Sequence, residues 1–147
     1  MRILNVTAQK PNSTGSGIFL SELMKEFANK GHTQALVAGV YPEEETPVPD
    51  RVTFYPVYFE QGKLSFPIVG MSDEMPYPST RYRDMTPKME AAFKESFLKQ
   101  LDEAVRDLNP DLILCHHLYL LTAIVREHFP DRKVFGLSLI HISEPTR

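Results

Sequence analysis

Cysteine is nearly missing from this chain: Cys115 is the single one among 147 residues. That excludes an internal disulfide framework and suits a reducing, cytoplasmic setting. A strong charge of one sign is also lacking. The formal net charge of -3 gives no electrostatic reason to expect nucleic acid or an anionic membrane as partner. No apolar run approaches the ~20 residues that span a bilayer. The opening "MRILNV" has one charge and then a short strand-like run, so no signal peptide is expected. Two nucleotide motifs are absent as well. There is no Gly-Lys-Ser/Thr, which removes the P-loop. A dinucleotide fingerprint would want glycine at Leu20 and an acid after the second strand, where Gly39-Val40-Tyr41 stands; NAD is therefore not expected. No internal repeat is seen.

What is present reads as one soluble domain. Hydrophobic residues make up 42% and charged residues 24%, and the length is enough for a sizeable single core. "RILNVT" (2–7) is an apolar run suited to a buried strand. A Gly-rich turn, "KPNSTGSGIF" (10–19), leads into a stretch with Leu20, Leu23, Met24, Phe27 and Ala28 on one helical face. Ser16 is the expected N-cap of this helix and Gly31 its C′ residue. "QALVAGV" (34–40) follows as a second buried strand, so strand, helix and strand form a βαβ unit and imply a parallel sheet.

The middle of the chain is less regular. "RVTFYPVYF" (51–59) reads as a strand that Pro56 confines to an edge or interrupts. "PIVGMSDEMPYPSTRYRDM" has no clean period, and long loops of this kind in compact domains are usually functional or disordered. The helical pattern returns with Thr86 as N-cap and Pro87 at N1, and Met89, Phe93, Phe97, Leu101, Val105 and Leu108 hold one face up to Asn109-Pro110. "DLILCHH" (111–117), "LYLLTAIVREHF" and "KVFGL" complete the order as strand, helix and strand. The fold class is thus α/β, Rossmann-like and doubly wound, with a mostly parallel sheet.

In such folds ligands sit beyond the carboxyl ends of the strands. Three stretches are candidates. Gly15, Ser16 and Gly17 open a helix whose first turn lacks acidic residues, and unpaired N–H groups there suit an anion. The alternative is a plain βα turn whose glycines only supply unusual dihedrals. His116 and His117 end a buried strand, where a histidine can hydrogen-bond a sugar hydroxyl or phosphate or transfer a proton; the alternative is a structural histidine satisfied by backbone. Adjacent histidines rarely converge on one metal and no third ligand stands out, so no metal is expected. Cys115 beside His116 would suit a Cys–His nucleophile, though a small buried strand residue explains it more simply. Ser72, Asp73, Tyr77, Arg81 and Arg83 offer donors, acceptors and stacking surfaces for a polar or anionic substrate, or else form a solvated loop. Glu43 to Glu45 read as solvated.

With these residues placed, "MRILNV", the Gly15-Ser16-Gly17 loop, "NKGH" and "PDLILCHHLYLLTAIV" occur in an order that resembles the N-terminal domain of a family 4 glycosyltransferase of GT-B architecture. The resemblance spans residues 1 to about 136, and "GMSDEMPYPSTRYRD" is similar to a loop in one branch of that family. It implies two Rossmann-like domains facing a cleft, a nucleotide-sugar donor, a sugar or other acceptor, retention of anomeric configuration and no metal or other cofactor. Carried over by position, Gly15, Ser16 and Gly17 approach the donor phosphates and His116 lies near the transferred sugar. Ser72, Asp73, Tyr77, Arg81, Arg83 and His117 shape the acceptor side. Nucleic acid is not an expected partner, and peripheral contact with a membrane is left open.

The second domain and its paired glutamates are not in these 147 residues. A fragment is therefore expected to be inactive alone, with residues 1–136 as an incomplete acceptor-side domain. Residues 137–147, "LSLIHISEPTR", resemble a translated sequencing adapter and are expected to be a non-native tail; the alternative is a genuine short tail that extends the strand, with which Leu139, Ile140 and Ile142 are compatible. The competing reading is a stand-alone α/β module that binds a phosphorylated or glycosylated ligand without chemistry.

Overall fold

The computed structural model describes residues 1–11, 15–44, 46, 48–70, 79–116 and 120–137. Seven strands and three helices follow one another as β1 (Arg2–Thr7), α1 (Gly15–Asn29), β2 (Thr33–Val40), β3 (Val52–Tyr58), β4 (Val69–Gly70), β5 (Thr80–Arg81), a 3₁₀ turn (Tyr82–Asp84), α2 (Pro87–Leu108), β6 (Leu112–His116), α3 (Leu120–His128) and β7 (Val134–Leu137) among the described residues. The main sheet has the order β3-β2-β1-β6-β7 and every pairing in it is parallel. The expected Rossmann-like α/β fold is what forms.

Alternation along the strands divides the core in two. Leu4, Val6 and Ala8, Ala35 and Val37, and Ile113 and Cys115 turn to the face covered by α2 and α3. Leu36 and Ala38 turn to the other face, under Leu20 and Met24 of α1. The first layer is the larger and is anchored by Phe59, Phe93 and Phe97, none of them solvent-accessible. The rings of Phe93 and Phe97 have centroids 4.6 Å apart, and Phe59 lies 6.3 and 6.2 Å from them. α1 is fixed to the sheet by a buried relay: Asn5 Nδ2 donates to Gln34 Oε1 at 3.0 Å, and Gln34 Nε2 donates to the Met24 carbonyl at 2.8 Å. Amides buried in this way must find partners, so the relay fixes helix position as well as contributing stability.

The helix ends follow from local chemistry. In α2, Thr86 Oγ1 accepts from Met89 N–H at 3.2 Å and Pro87 occupies the first turn, where its missing N–H costs nothing. Asn109 closes the helix in the left-handed region at φ 48°, and its side chain accepts from Arg132 at 2.8 Å. α1 ends in a Schellman motif: Gly31 has φ 84°, its N–H donates to Ala28, and His32 N–H donates to Phe27. The matching side-chain contact is the edge-to-face pair of Phe27 and His32, 5.8 Å between centroids.

Two local expectations are corrected. Ser16 is not the N-cap of α1, because the helix already includes Gly15. Small residues are tolerated in a first turn whose N–H groups have no intrahelical acceptor, so the helix runs back past the serine; residue 14, which precedes it, lies outside the described residues. The middle segment contains the two-residue parallel ladder of β4 and β5, which is too short for any periodicity to announce. Pro56 does lie on an edge strand, β3, and its carbonyl accepts from Gln100 Nε2 at 2.9 Å.

Candidate functional site at the strand-order reversal

The chain leaves β1 for β2 on one side and returns through β6 on the other, so the strand order reverses between β1 and β6. The crevice beyond their carboxyl ends is where a doubly wound sheet presents a ligand site. Val6 is in register with Cys115, which sets Thr7 and His116 side by side as the last residues of the two strands. α1 begins at the same edge and has no acidic residue in its first turn. No acidic side chain of that turn therefore offsets the partial positive charge of the helix start. Gly17 is buried at this helix start. His116 is 7% exposed and closes β6. Gly15, Ser16 and Gly17 at the start of α1 and His116 at the end of β6 thus stand at the same carboxyl edge of the sheet. His117 lies outside the described residues.

The turn out of β1 adds two residues that sequence reading passed over. Gln9 is 4% exposed, its N–H donates to Thr7 Oγ1 at 3.2 Å, and its buried Nε2 meets no hydrogen-bond acceptor among the described residues. The Lys10 side chain, 14% exposed, forms an ion pair with Glu44 and holds its ammonium 5.6 Å from the centre of the Tyr41 ring. Glu44 is therefore not merely solvated: it neutralises a largely buried cation at the carboxyl edge. The signal in the sequence was only a polar pair directly after a buried strand. Ala8, just before this pair, lies close against β2: a β-carbon on Gly39 would lie 2.5 Å from the Ala8 carbonyl oxygen.

The arginine-bearing segment is tied to the same edge further along, beyond β2. Tyr41 Oη accepts from Ile68 N–H at 3.1 Å, Thr80 N–H donates to the Ile68 carbonyl at 2.8 Å, and Thr80 Oγ1 donates to the Pro67 carbonyl at 2.6 Å. Burial pushes the Tyr41 hydroxyl above its ordinary pKa. Arg81 Nε bonds Asp84 at 2.6 Å, and Arg83 is exposed. Ser72, Asp73 and Tyr77 lie outside the described residues. A groove between residues 62–66 and the start of α2, lined by Phe66, Met89 and Ala92 among others, holds none of the candidate residues. No group of three or more histidine, cysteine, aspartate or glutamate side chains among the described residues could hold a metal ion.

Cys115 is not a nucleophile. It is 1% exposed, and burial pushes its thiol from the ordinary 9.0 up to about 12, the hydrogen bond with Thr122 acting more weakly the other way. A thiol that stays protonated at neutral pH has almost no thiolate to attack with.

No family model matches the sequence. No curated protein matches it either. Solved structures do. The chain is similar to a sucrose-phosphate synthase (tll1590) from Thermosynechococcus elongatus, with a TM-score of 0.62, 10% identity, 96% of this chain covered and 33% of that one. At such identity the likeness shows the fold. This chain spans about a third of that protein's length. A UDP-galactose 4-epimerase aligns over 79% of this chain and 37% of that one at 14% identity, and its TM-score of 0.39 carries no argument. The span matched to the synthase is too long to leave out all of residues 137–147, so it gives no support to a non-native tail. Leu137, assigned to that tail by the sequence, is the last residue of β7, and residues 138–147 lie outside the described residues. Among the described residues no helix is long and apolar enough to cross a membrane.

Proposed function

We propose that this chain is the acceptor-side part of a glycosyltransferase that moves a sugar from a nucleotide-sugar donor to an acceptor. The observation that carries the reading is that an acid-free helix start and a buried histidine share the sheet edge where the strand order reverses. The overall likeness to about a third of a sucrose-phosphate synthase supports it. In this reading the N–H groups of Gly15 to Gly17 point at the donor diphosphate. As the sugar–phosphate bond breaks, negative charge grows on that leaving group, and preset N–H donors and the helix field stabilise it most when it is largest. His116 hydrogen-bonds the transferred sugar and orients it. Arg81 and Arg83, with Ser72, Asp73, Tyr77 and His117, form the acceptor side. The nucleotide is held by a second domain, retention of configuration is a property of the two walls together, and the chain alone does not turn over donor.

The test is a calorimetric titration of inorganic pyrophosphate into the chain and into Gly17→Asp. An acid in the first turn cancels the helix field and repels the anion, so binding should fall by about tenfold or more. Equal affinity for the two proteins would remove the cradle. Turnover of a nucleotide sugar by this chain alone would remove the division of labour between two domains.

A further inference from the structure

The residue left over by this reading is Gln9. Its place is unusual. It lies between Thr7, the last residue of β1, and the first turn of α1, at the carboxyl edge of the sheet. It is 4% exposed, and its Nε2 is a buried donor without an acceptor among the described residues. The donors of the other buried amides are satisfied. Asn5 Nδ2 donates to Gln34 Oε1 and Gln34 Nε2 donates to the Met24 carbonyl in the relay under α1, so of these two amides only the Asn5 Oδ1 acceptor is left over among the described residues. An amide donor buried without an acceptor costs stability, and a leucine or methionine would fill the same volume without that cost. The backbone holds the residue in place: its N–H is closed onto Thr7 Oγ1, and Gly39 lets the Ala8 carbonyl press down on β2.

We infer that Gln9 is a ligand-binding residue of the β1/β6 crevice, its carboxamide donating to a phosphoryl oxygen that the α1 N-terminus also faces. The inference rests on the proposed cradle and adds to it a side-chain donor. Helix N–H groups attract any anion; a neutral amide at a fixed place selects where an oxygen sits without adding charge. Gln9 thus sets the position of the phosphoryl group, and the helix supplies the field. The stability lost by burying the donor is recovered when the oxygen arrives.

A binding residue and a structural one give opposite results in a paired measurement on the full chain. Gln9→Met keeps length and removes the donor; Gln9→Glu keeps shape and replaces the donor by an acceptor. Each is titrated with inorganic pyrophosphate and melted without it. Gln9→Met should melt at or above the temperature of the unsubstituted chain and bind pyrophosphate about tenfold more weakly or worse, the usual loss for one hydrogen bond to a charged group. Gln9→Glu should bind more weakly still. Unchanged affinity in either variant overturns the inference, and so does a clear drop in the melting temperature of Gln9→Met, which would mean that the amide has a partner in the protein. If Gly17→Asp abolishes binding while both Gln9 variants bind normally, the cradle stands and Gln9 has no part in it. If the unsubstituted chain does not bind pyrophosphate, both readings fall together.

Discussion

Replacing Gly39 by alanine tests the link between core packing and the crevice. The perturbation is one methyl group on β2, on the face that packs under α2. Its β-carbon would stand 2.5 Å from the Ala8 carbonyl oxygen and 2.9 Å from a ring carbon of Phe59. Neither neighbour can give way easily. The carbonyl belongs to the turn that leaves β1, and the Phe59 ring is inaccessible to solvent and packed against Phe66, Phe93 and Phe97. Overpacking of this kind costs about 1–3 kcal/mol, which in a domain of this size lowers the melting temperature by roughly 3–10 °C. The assay is thermal unfolding followed by far-UV circular dichroism, with a pyrophosphate titration alongside. Because Ala8 immediately precedes Gln9, affinity should fall together with stability. A second variant separates the two contacts: Phe59→Leu in the Gly39→Ala background relieves the ring contact and leaves the carbonyl contact, so rescue should be partial. A Gly39→Ala protein that melts within 1 °C or so of the parent would refute the argument, as would one whose stability is restored in full by Phe59→Leu.

Other expectations follow from the same geometry. Cys115 should resist iodoacetamide in the folded chain at pH 8 and react only at the rate of global unfolding, as read by mass spectrometry; rapid labelling of the native protein would contradict its burial. The same thiol makes stability fall as pH rises from about 9 towards 12, because the unfolded chain ionises it while the folded chain keeps it protonated. Tyr41, also raised by burial, acts in the same direction above its ordinary 10.0, and a urea midpoint that rises across this alkaline window would contradict both. Thr86→Ala removes the N-cap of α2 and should lower stability by about 1 kcal/mol in denaturant titration, with Thr86→Ser restoring most of it.

Much of the fold was legible because its signals are long. The helical face of α2 runs from Met89 to Leu108 with a Thr-Pro start and an Asn-Pro end, and these placed the helix from Pro87 to Leu108. Gly31 announced the end of α1 because only a residue that accepts positive φ closes a Schellman motif cheaply. The apolar runs of β1 and β2 with a helical pattern between them made a βαβ unit, and so implied a parallel sheet. What stayed hidden was set by tertiary contact. Gln9 and Lys10 look like ordinary loop residues, and only the approach of Ala8 to Gly39 and of Lys10 to Glu44 and Tyr41 shows that both are largely buried. The β4–β5 ladder exists because Tyr41 and Thr80 hold Ile68 and Pro67, partners far apart in sequence. Cys115 next to His116 suggested a nucleophile by adjacency alone. Strand alternation turns Cys115 into the α2–α3 core, away from His116, which is on the opposite face of the sheet.

The central claim is that a phosphoryl group binds where α1 starts beside β6. An amide NMR titration of the isotope-labelled chain with inorganic pyrophosphate tests it most directly. The account predicts saturable shifts centred on Gly15, Gly17 and His116, with Gln9 among them, and small or no shifts along the exposed face of α2. Shifts confined to the groove at Phe66, Met89 and Ala92, or none at all, would contradict it.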